Sequence, residues 1–280
     1  MPSAFLPDRA FVKIAGPDAE HFLQNLITTD LGALAVDELR PGALLTPQGK
    51  IFFDFLISRD GDSFLIDIRR DQTDAFVRRM TMYKLRAPVT IETQVETGAT
   101  VSWGGAGGTG GGLADQRFAL AGTEVRRQLG HVDDAGDREG YDALRVLHGV
   151  PESGFDYALQ DAFPHDILFD KSGGVSFRKG CYVGQEVVSR MQHRATARRR
   201  VVIVSAETAL PASGTDITIG GKQIGALGTV AGSRGLAIVR IDKAGEAINA
   251  GEAILAGEVP VTLALPGWSG LSFPSASEEA

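Results

Sequence analysis

The residues with the clearest potential for chemistry lie in one short stretch around Cys181, the only cysteine among 280 residues. A thiol acts as a nucleophile or a metal ligand only as the thiolate, and nearby cations favour that form. Arg178 and Lys179 supply two cations just before Cys181. The spacing of apolar residues predicts a helix over 185–194, which puts the thiol just ahead of a positive helix end. The stretch is therefore typical of a reactive cysteine.

A second interpretation of Cys181 stands beside this one. Free cysteine is among the most often buried residues and packs as a small hydrophobe, so Cys181 could belong to the core. One cysteine cannot close a disulfide within the chain or build a zinc site alone. Any role in metal binding must therefore be shared with a second molecule.

The segment 179–186 reads Lys-Gly-Cys-Tyr-Val-Gly-Gln-Glu and is followed by Arg190 and Arg194. It resembles the signature of the YgfZ family of folate-binding proteins, which includes mitochondrial iron–sulfur assembly factors. These are relatives of the T-protein, the aminomethyltransferase of the glycine cleavage system. Residues 16–30, with Gly-Pro-Asp-Ala, Phe-Leu-Gln and Thr-Thr-Asp in order, are similar to the opening of that superfamily. The resemblance thus extends beyond the cysteine segment.

The resemblance implies roles for the residues of this motif. Cys181 is expected to be the reactive thiol or a transient iron–sulfur ligand. No other metal site is assigned to the chain. Two cations are expected to favour the thiolate or hold an anion, namely Lys179 and Arg178. Two glycines are expected to allow a sharp backbone path, namely Gly180 and Gly184. The remaining motif residues are expected to fix the loop and line a cavity: Tyr182, Gln185, Glu186, Arg190 and Arg194.

The resemblance also implies tetrahydrofolate or another reduced folate as the cofactor. Asp54, Arg145 and Arg178 are the candidate folate contacts. T-proteins commonly carry an Asp-Asp pair in the hairpin that faces folate, but this chain has Asp54-Phe55. T-proteins also carry a glutamate shortly after the arginine that corresponds to Arg145, and this chain has Leu147 at that position. Both departures argue against aminomethyl transfer, because that reaction needs a carboxylate to handle a proton near folate.

Composition and charge limit the class of protein. The net charge of −7 argues against a protein that mainly binds nucleic acid. Eight basic residues and one acidic residue lie between Lys171 and Arg200, which indicates either a solvated basic face or a local anion site. No apolar run is long enough for a transmembrane helix, and the N-terminus does not read as a signal peptide. With one cysteine, these features predict a cytoplasmic protein.

The order of elements predicts an α+β protein with a small β-barrel at its end. Two strands are expected to form a hairpin over 43–57, and helices are expected over 71–85 and 139–150. We predict α+β folate-binding lobes over 1–97 and 113–196, joined by a glycine-rich loop over 98–112. The barrel is predicted over 197–267, followed by a flexible tail over 268–280. The resemblance implies that three lobes surround a central cavity, as in T-protein.

These observations predict a tetrahydrofolate-binding accessory protein that assists the assembly or repair of iron–sulfur clusters, and that supports tRNA modification indirectly. The expected partners are reduced folate and iron–sulfur client or carrier proteins, without direct binding to nucleic acid or membrane. Two alternatives remain at this point. One is a folate-dependent aminomethyl or C1 transferase, and the other is a scaffold module in which Cys181 only packs.

Overall fold

The computed structural model describes residues 1–104, 111–133, 135–194 and 196–274. The chain divides into two compact units. The first comprises Met1–Tyr141 and Phe169–Ser189, and the second comprises Asp142–Leu168 and Arg190–Ala280. The sequence placed 142–168 with the α+β lobes, whereas this segment belongs to the unit that contains the barrel.

The described part of the first unit is built on a nine-stranded sheet with the order β1-β7-β9-β8-β3-β4-β5-β2-β6. Of its strand pairs, β3 and β8 are parallel and the others are antiparallel. The strands are β1 Ser3–Leu6, β2 Arg9–Ala15, β3 Glu38–Leu45, β4 Ile51–Asp60, β5 Ser63–Arg69, β6 Thr90–Thr93, β7 Ala99–Trp103, β8 Leu113–Asp115 and β9 Val125–Leu129. The predicted hairpin over 43–57 corresponds to β3 and β4.

The two faces of this sheet differ in character because side chains alternate along a strand. On one face Val12 lies opposite Ile66, and both belong to an apolar core that also contains Phe76 of the helix above it. On the other face β5 presents Asp67, which lies opposite Leu56 of β4. One face is therefore apolar and the other carries a buried charge.

The helices are α1 Ala19–Gln24, α2 Thr73–Lys84, α3 Arg138–His148, α4 Gln185–His193 and α5 Ile241–Ala250. The three helices predicted over 71–85, 139–150 and 185–194 are confirmed to within two residues as α2, α3 and α4, whereas α5 was not predicted. Short 3-10 helices cover Leu31–Ala33, Arg70–Gln72, Ala119–Ala121 and Gly267–Ser269. Among the described residues, no helix is both long and apolar enough to cross a membrane.

The second unit contains a closed barrel with the strand order β10-β13-β12-β11-β14-β15. Its strands are β10 Arg199–Ser205, β11 Asp216–Ile219, β12 Lys222–Ala231, β13 Arg234–Arg240, β14 Ile254–Ala256 and β15 Val259–Ala264. The predicted barrel is confirmed, but it is not purely β. Helix α5 follows β13 and packs Ile241, Ala244 and Ala247 against the barrel core.

Two segments predicted to be loose are ordered where the structure describes them. Strand β7 lies within the predicted loop 98–112, while residues 105–110 fall outside the described ranges. In the predicted tail, Trp268 Nε1 donates to the His148 carbonyl oxygen at 2.7 Å. Pro274 packs so closely on Gly245 that a Cβ there would lie 2.5 Å from the Pro274 oxygen. The flexible tail is thus not observed over 268–274, and 275–280 fall outside the description.

Candidate functional site

The exposure of Cys181 separates the two interpretations of this residue. Its thiol is exposed, on the segment of the first unit that leads into α4. A residue that served only as core packing would be buried. The structure therefore favours an accessible thiol, while its chemical reactivity stays a prediction.

Lys179 makes structural hydrogen bonds that the sequence did not predict. Its Nζ donates to the carbonyl oxygens of Ile27 at 2.8 Å and Thr29 at 2.9 Å. These two bonds use two of the three donors of an ammonium group. Burial lowers the pKa of Lys179 to about 8, and nearby Asp30 only partly opposes that effect. The ammonium therefore ties the Cys181 loop to the backbone at 27–29, and its predicted effect on the thiolate or on an anion stays a prediction.

The backbone that accepts from Lys179 is itself held in place. The Thr28 hydroxyl donates to the Gly174 carbonyl oxygen at 2.6 Å and accepts from Ala43 N at 2.9 Å. Ser176 N donates to the Thr28 carbonyl oxygen at 2.9 Å. The Ser176 hydroxyl accepts from Lys179 N at 3.2 Å. The loop is thus anchored to strand β3 through residues far away in sequence.

The two glycines of the motif behave differently. Gly184 has a φ of +78°, and a Cβ on it would lie 2.5 Å from the Thr46 carbonyl oxygen. Gly49, at the end of the same β3–β4 turn, has a φ of +79° and would place a Cβ 2.9 Å from that of Val187. The expectation for Gly184 is therefore met. Gly180 has no positive φ, and a Cβ on it would meet nothing within 4 Å, so the prediction for Gly180 is wrong.

Tyr182 and Gln185 fix the start of α4. The Gln185 side-chain oxygen accepts from Tyr182 N, and Gln185 N donates to the Tyr182 carbonyl oxygen, both at 3.3 Å. The Tyr182 side chain is buried, which raises its pKa to about 12. Its hydroxyl has no hydrogen-bond partner among the described residues. The ring lies 5.4 Å from Lys179 Nζ, measured to the ring centroid.

The other charged residues of the motif are exposed. Arg178 and Glu186 lie on either side of the Cys181 loop in the first unit. Arg190, on α4, and Arg194, just beyond it, belong to the second unit by their contacts. Arg178 N donates to the Ser176 hydroxyl at 3.3 Å. Their predicted roles around a cavity stay predictions.

Of the three candidate folate contacts, Asp54 and the exposed Arg178 belong to the first unit and Arg145 belongs to the second. Asp54 is half-buried on β4, opposite Ala43 of β3. Arg145 of the second unit is fully buried. Its guanidinium donates to Asp142, Asp156, Thr229 and the Val150 carbonyl oxygen at 2.8–3.1 Å. A folate contact of Arg145 stays a prediction, and the observed bonds are those of a structural residue.

The described residues contain no group of three or more His, Cys, Asp or Glu side chains that could hold a metal ion. A role of Cys181 as a metal ligand stays a prediction. Sequence reasoning missed the acceptors at Ile27 and Thr29, because they are backbone oxygens about 150 residues away. The Thr-Thr pair at 28–29 was noticed only through the family resemblance.

Comparison with known proteins agrees with this fold. The structure resembles that of glycine cleavage system aminomethyltransferase T from Bartonella henselae, with a TM-score of 0.70 over 95% of this chain and 86% of that chain. The sequence identity of 14% supports the fold alone. Residues 198–271 match the CAF17 C-terminal beta-barrel domain family. The chain is therefore a protein of the aminomethyltransferase-like fold with a CAF17-type barrel.

The curated relatives are more specific. The chain is 30% identical to the iron–sulfur cluster assembly factor IBA57 of Mus musculus, over 94% of this chain and 84% of the mouse protein. It is 29% identical to the human protein, over 85% of this chain and 77% of that protein. It is 30% identical to the homolog from Pyricularia oryzae over 70% of this chain, but spans only about half (55%) of that relative's length. The chain belongs to the IBA57 family. These relatives are all named as mitochondrial, so the predicted cytoplasmic location is wrong.

Proposed function

We propose that this protein is an accessory factor in iron–sulfur cluster assembly and that Cys181 is its working thiol. The observation that carries this proposal is the presentation of the single cysteine. Its side chain is exposed, while the adjacent Lys179 is tied by two hydrogen bonds to the anchored backbone at 27–29. An accessible thiol on a fixed loop suits a group that must meet a partner in a defined orientation. The names of the relatives support the role in iron–sulfur cluster assembly.

The proposed chemistry is an exchange of ligands at iron. The thiol of Cys181 loses its proton to solvent and forms one Fe–S bond, while one bond between iron and a carrier thiolate breaks. No net oxidation or reduction is needed. Because the described residues lack a set of three metal-binding side chains, the other ligands come from the carrier or client protein. The cluster is cargo in this scheme.

The test compares two substitutions in the same loop. Cys181→Ser removes the thiol and is expected to abolish cluster delivery to an apo form of a client iron–sulfur enzyme, measured by recovery of that enzyme's activity. Gly180→Ala is the matched control, since a Cβ there meets no atom within 4 Å. It should retain full delivery. Normal delivery by a folded Cys181→Ser protein would contradict the proposal and favour a scaffold role.

We also propose, in keeping with the YgfZ resemblance, that the protein binds a reduced folate. Tetrahydrofolate binding is testable by isothermal titration calorimetry with the full chain. If Asp54 contacts the ligand, Asp54→Asn weakens binding, while an equally mild change at an exposed acid of the first unit, Asp62→Asn, has no effect. Absence of any heat of binding would reject the folate proposal and leave the proposal for Cys181 intact.

The likeness to an aminomethyltransferase fold gives a second candidate, a folate-dependent C1 transferase. In that reaction the methylene carbon of an S-aminomethyl carrier becomes bonded to both N5 and N10 of tetrahydrofolate, its bonds to nitrogen and sulfur break, and ammonia and the free carrier thiol are released. Formation of methylenetetrahydrofolate that disappears in Asp54→Asn but persists in Cys181→Ser would support it. The reverse dependence would reject it.

A further inference from the structure

Three charged residues inside the first unit form a closed group, which we call the Arg9–Asp67–Arg127 triad. Strand β9, which carries Arg127, is separated from β5, which carries Asp67, by three strands in the sheet order. Even so, Arg127 Nε donates to Asp67 Oδ2. The sheet must therefore curl strongly, with this charged face on its inner side. Arg9 reaches the same carboxylate from β2.

The triad contains two cations and one anion, all withdrawn from solvent. The side chains of Arg9, Asp67 and Arg127 are 7%, 1% and 1% exposed. Arg9 Nε donates to Asp67 Oδ1 at 2.7 Å, and Arg9 Nη2 donates to the Asp67 carbonyl oxygen at 2.9 Å. Burial alone would raise the pKa of Asp67, but Arg127 and Arg9 outweigh burial and lower it. Asp67 is therefore ionised, and one carboxylate faces two guanidinium groups.

Arg127 also has an incomplete set of hydrogen bonds. Its Nη1 has only a long contact of 3.5 Å with the Tyr141 hydroxyl. Its Nη2 is buried and has no hydrogen-bond partner among the described residues. A buried charged donor without a partner is costly, by more than the roughly 1–3 kcal/mol of a neutral group. The position calls for an acceptor that the described protein atoms do not supply.

Asp115, a second carboxylate that acts electrostatically on Arg127, is engaged elsewhere. Asp115 accepts from Arg117 Nε at 2.9 Å through Oδ1 and from Arg117 Nη2 at 2.6 Å through Oδ2. Arg117 and Asp115 thus pair with each other in a forked arrangement. The charge excess of the triad is not removed by this neighbouring pair.

We propose that the interior of the first unit binds a small monovalent anion, of the chloride class, on Nη2 of Arg127. A water molecule would satisfy the hydrogen bond but not the excess positive charge, whereas an anion satisfies both. The anion must be small because Nη2 is buried beneath the curled sheet. This site is independent of the thiol chemistry proposed for Cys181.

The test uses the full chain in buffers of constant ionic strength in which sodium gluconate is replaced stepwise by sodium chloride. The midpoint of thermal unfolding should rise and then saturate, by about 5 °C or more at a chloride concentration one hundred times the dissociation constant. Arg127→Met removes the donor and leaves Arg9 and Asp67 balanced, so the chloride response should vanish. Arg126→Met is the matched control, because Arg126 is on the same strand and pairs at the surface with Glu124. It should keep the response.

A second measurement covers the case in which Arg127→Met does not fold. Crystals of the unchanged protein soaked in bromide should show an anomalous peak within about 3.5 Å of Arg127 Nη2. No chloride response together with no bromide peak would overturn the proposal in favour of a bound water. An equal chloride response in Arg127→Met would also overturn it, since that would indicate surface binding.

Discussion

Two fully buried arginines, one in each unit, differ in how their charge is satisfied. Arg145 in the second unit has two carboxylates, Asp142 and Asp156, at 2.8 Å and a third, Glu152, at 3.8 Å. Its Nε, Nη1 and Nη2 all donate hydrogen bonds. Arg127 in the first unit shares its one carboxylate with Arg9 and has a donor nitrogen without a partner.

The difference teaches how a buried arginine can be assigned a role. Where acids surround the guanidinium, as at Arg145, the residue cross-links parts of the chain and its three nitrogens all donate hydrogen bonds within the protein. Where cations outnumber acids, as at Arg127, some binding capacity remains. For these two residues, the ratio of buried acids to guanidinium groups therefore separates a structural arginine from a candidate ligand-binding arginine, whereas burial alone does not.

The largest effect is expected at Arg145, whose guanidinium nitrogens all donate hydrogen bonds. Arg145→Met leaves the fully buried Asp156 without its cation, and we expect a loss of about 3–5 kcal/mol in the free energy of unfolding. Urea denaturation followed by circular dichroism measures this. Arg126→Met, at the surface, should change stability by less than about 0.5 kcal/mol. A loss below about 1 kcal/mol for Arg145→Met would show that this network is not a structural cross-link.

A second prediction concerns Asp166, a buried acid with a long ion pair to Arg199, whose Nε is 3.9 Å away; Arg199 and Arg200 only partly oppose the effect of burial on its pKa. Burial raises the pKa of Asp166 to about 6, above the ordinary value of about 3.9. The folded state therefore holds this proton more tightly, so stability falls as pH rises from about 4 to 6.

Asp166→Asn should match the unchanged protein near pH 4 and exceed it by about 3 kcal/mol at pH 7. Its amide oxygen still accepts from Phe163 N, as the carboxylate does at 3.1 Å. Unfolding free energies measured across this range for both proteins provide the check. If the unfolding free energies of the two proteins change with pH in parallel, the raised pKa of Asp166 is contradicted.

The third prediction concerns Arg127, whose hydrogen bonds are incomplete. Arg127→Met should cost only about 1–2 kcal/mol in chloride-free buffer, because Asp67 keeps Arg9 and an unpartnered donor is removed. The same urea titration used for Arg145→Met allows a direct comparison. If the two substitutions cost the same, the contrast between the two arginines is lost.

The smallest effect is expected at Lys179, a cation bound by carbonyl oxygens. Its pKa of about 8 lies below the ordinary value near 10.4. The unfolded chain therefore holds this proton more tightly, and stability should rise with pH between about 8 and 10. The slope should be less than about 1 kcal/mol per pH unit, since the ammonium is partly exposed. The difference in unfolding free energy between Lys179→Met and the unchanged protein isolates the contribution of Lys179. If this difference does not change with pH, the prediction is refuted.

Sequence patterns predicted those parts of the fold that depend on local periodicity. The alternation around Ile66, Asp67 and Ile68 indicated a strand, and the glycine-spaced strands after Arg200 indicated the barrel. Helix α5 was missed because its sequence contains Gly245, which is required for the close approach of Pro274. Strand β9 was missed because its central residues, Arg126 and Arg127, are charged.

The candidate site was predicted in part. The position of the Cys181 motif came from a family resemblance, and its exposure could not be read from composition. The role of Lys179 depends on hydrogen bonds to residues 150–152 positions away, which local patterns do not encode. The charge excess at Arg127 likewise depends on β9, which meets the paired strands β5 and β2 only because the sheet curls.

The single exposed cysteine has a practical consequence for spectroscopy. Because the chain contains no other thiol, a maleimide fluorophore or a nitroxide can be attached at position 181 without first removing competing cysteines. The label would report directly on the motif loop, and its rotational freedom would show whether the tie through Lys179 holds that loop rigid. Docking of a carrier protein would then appear as a change in label mobility.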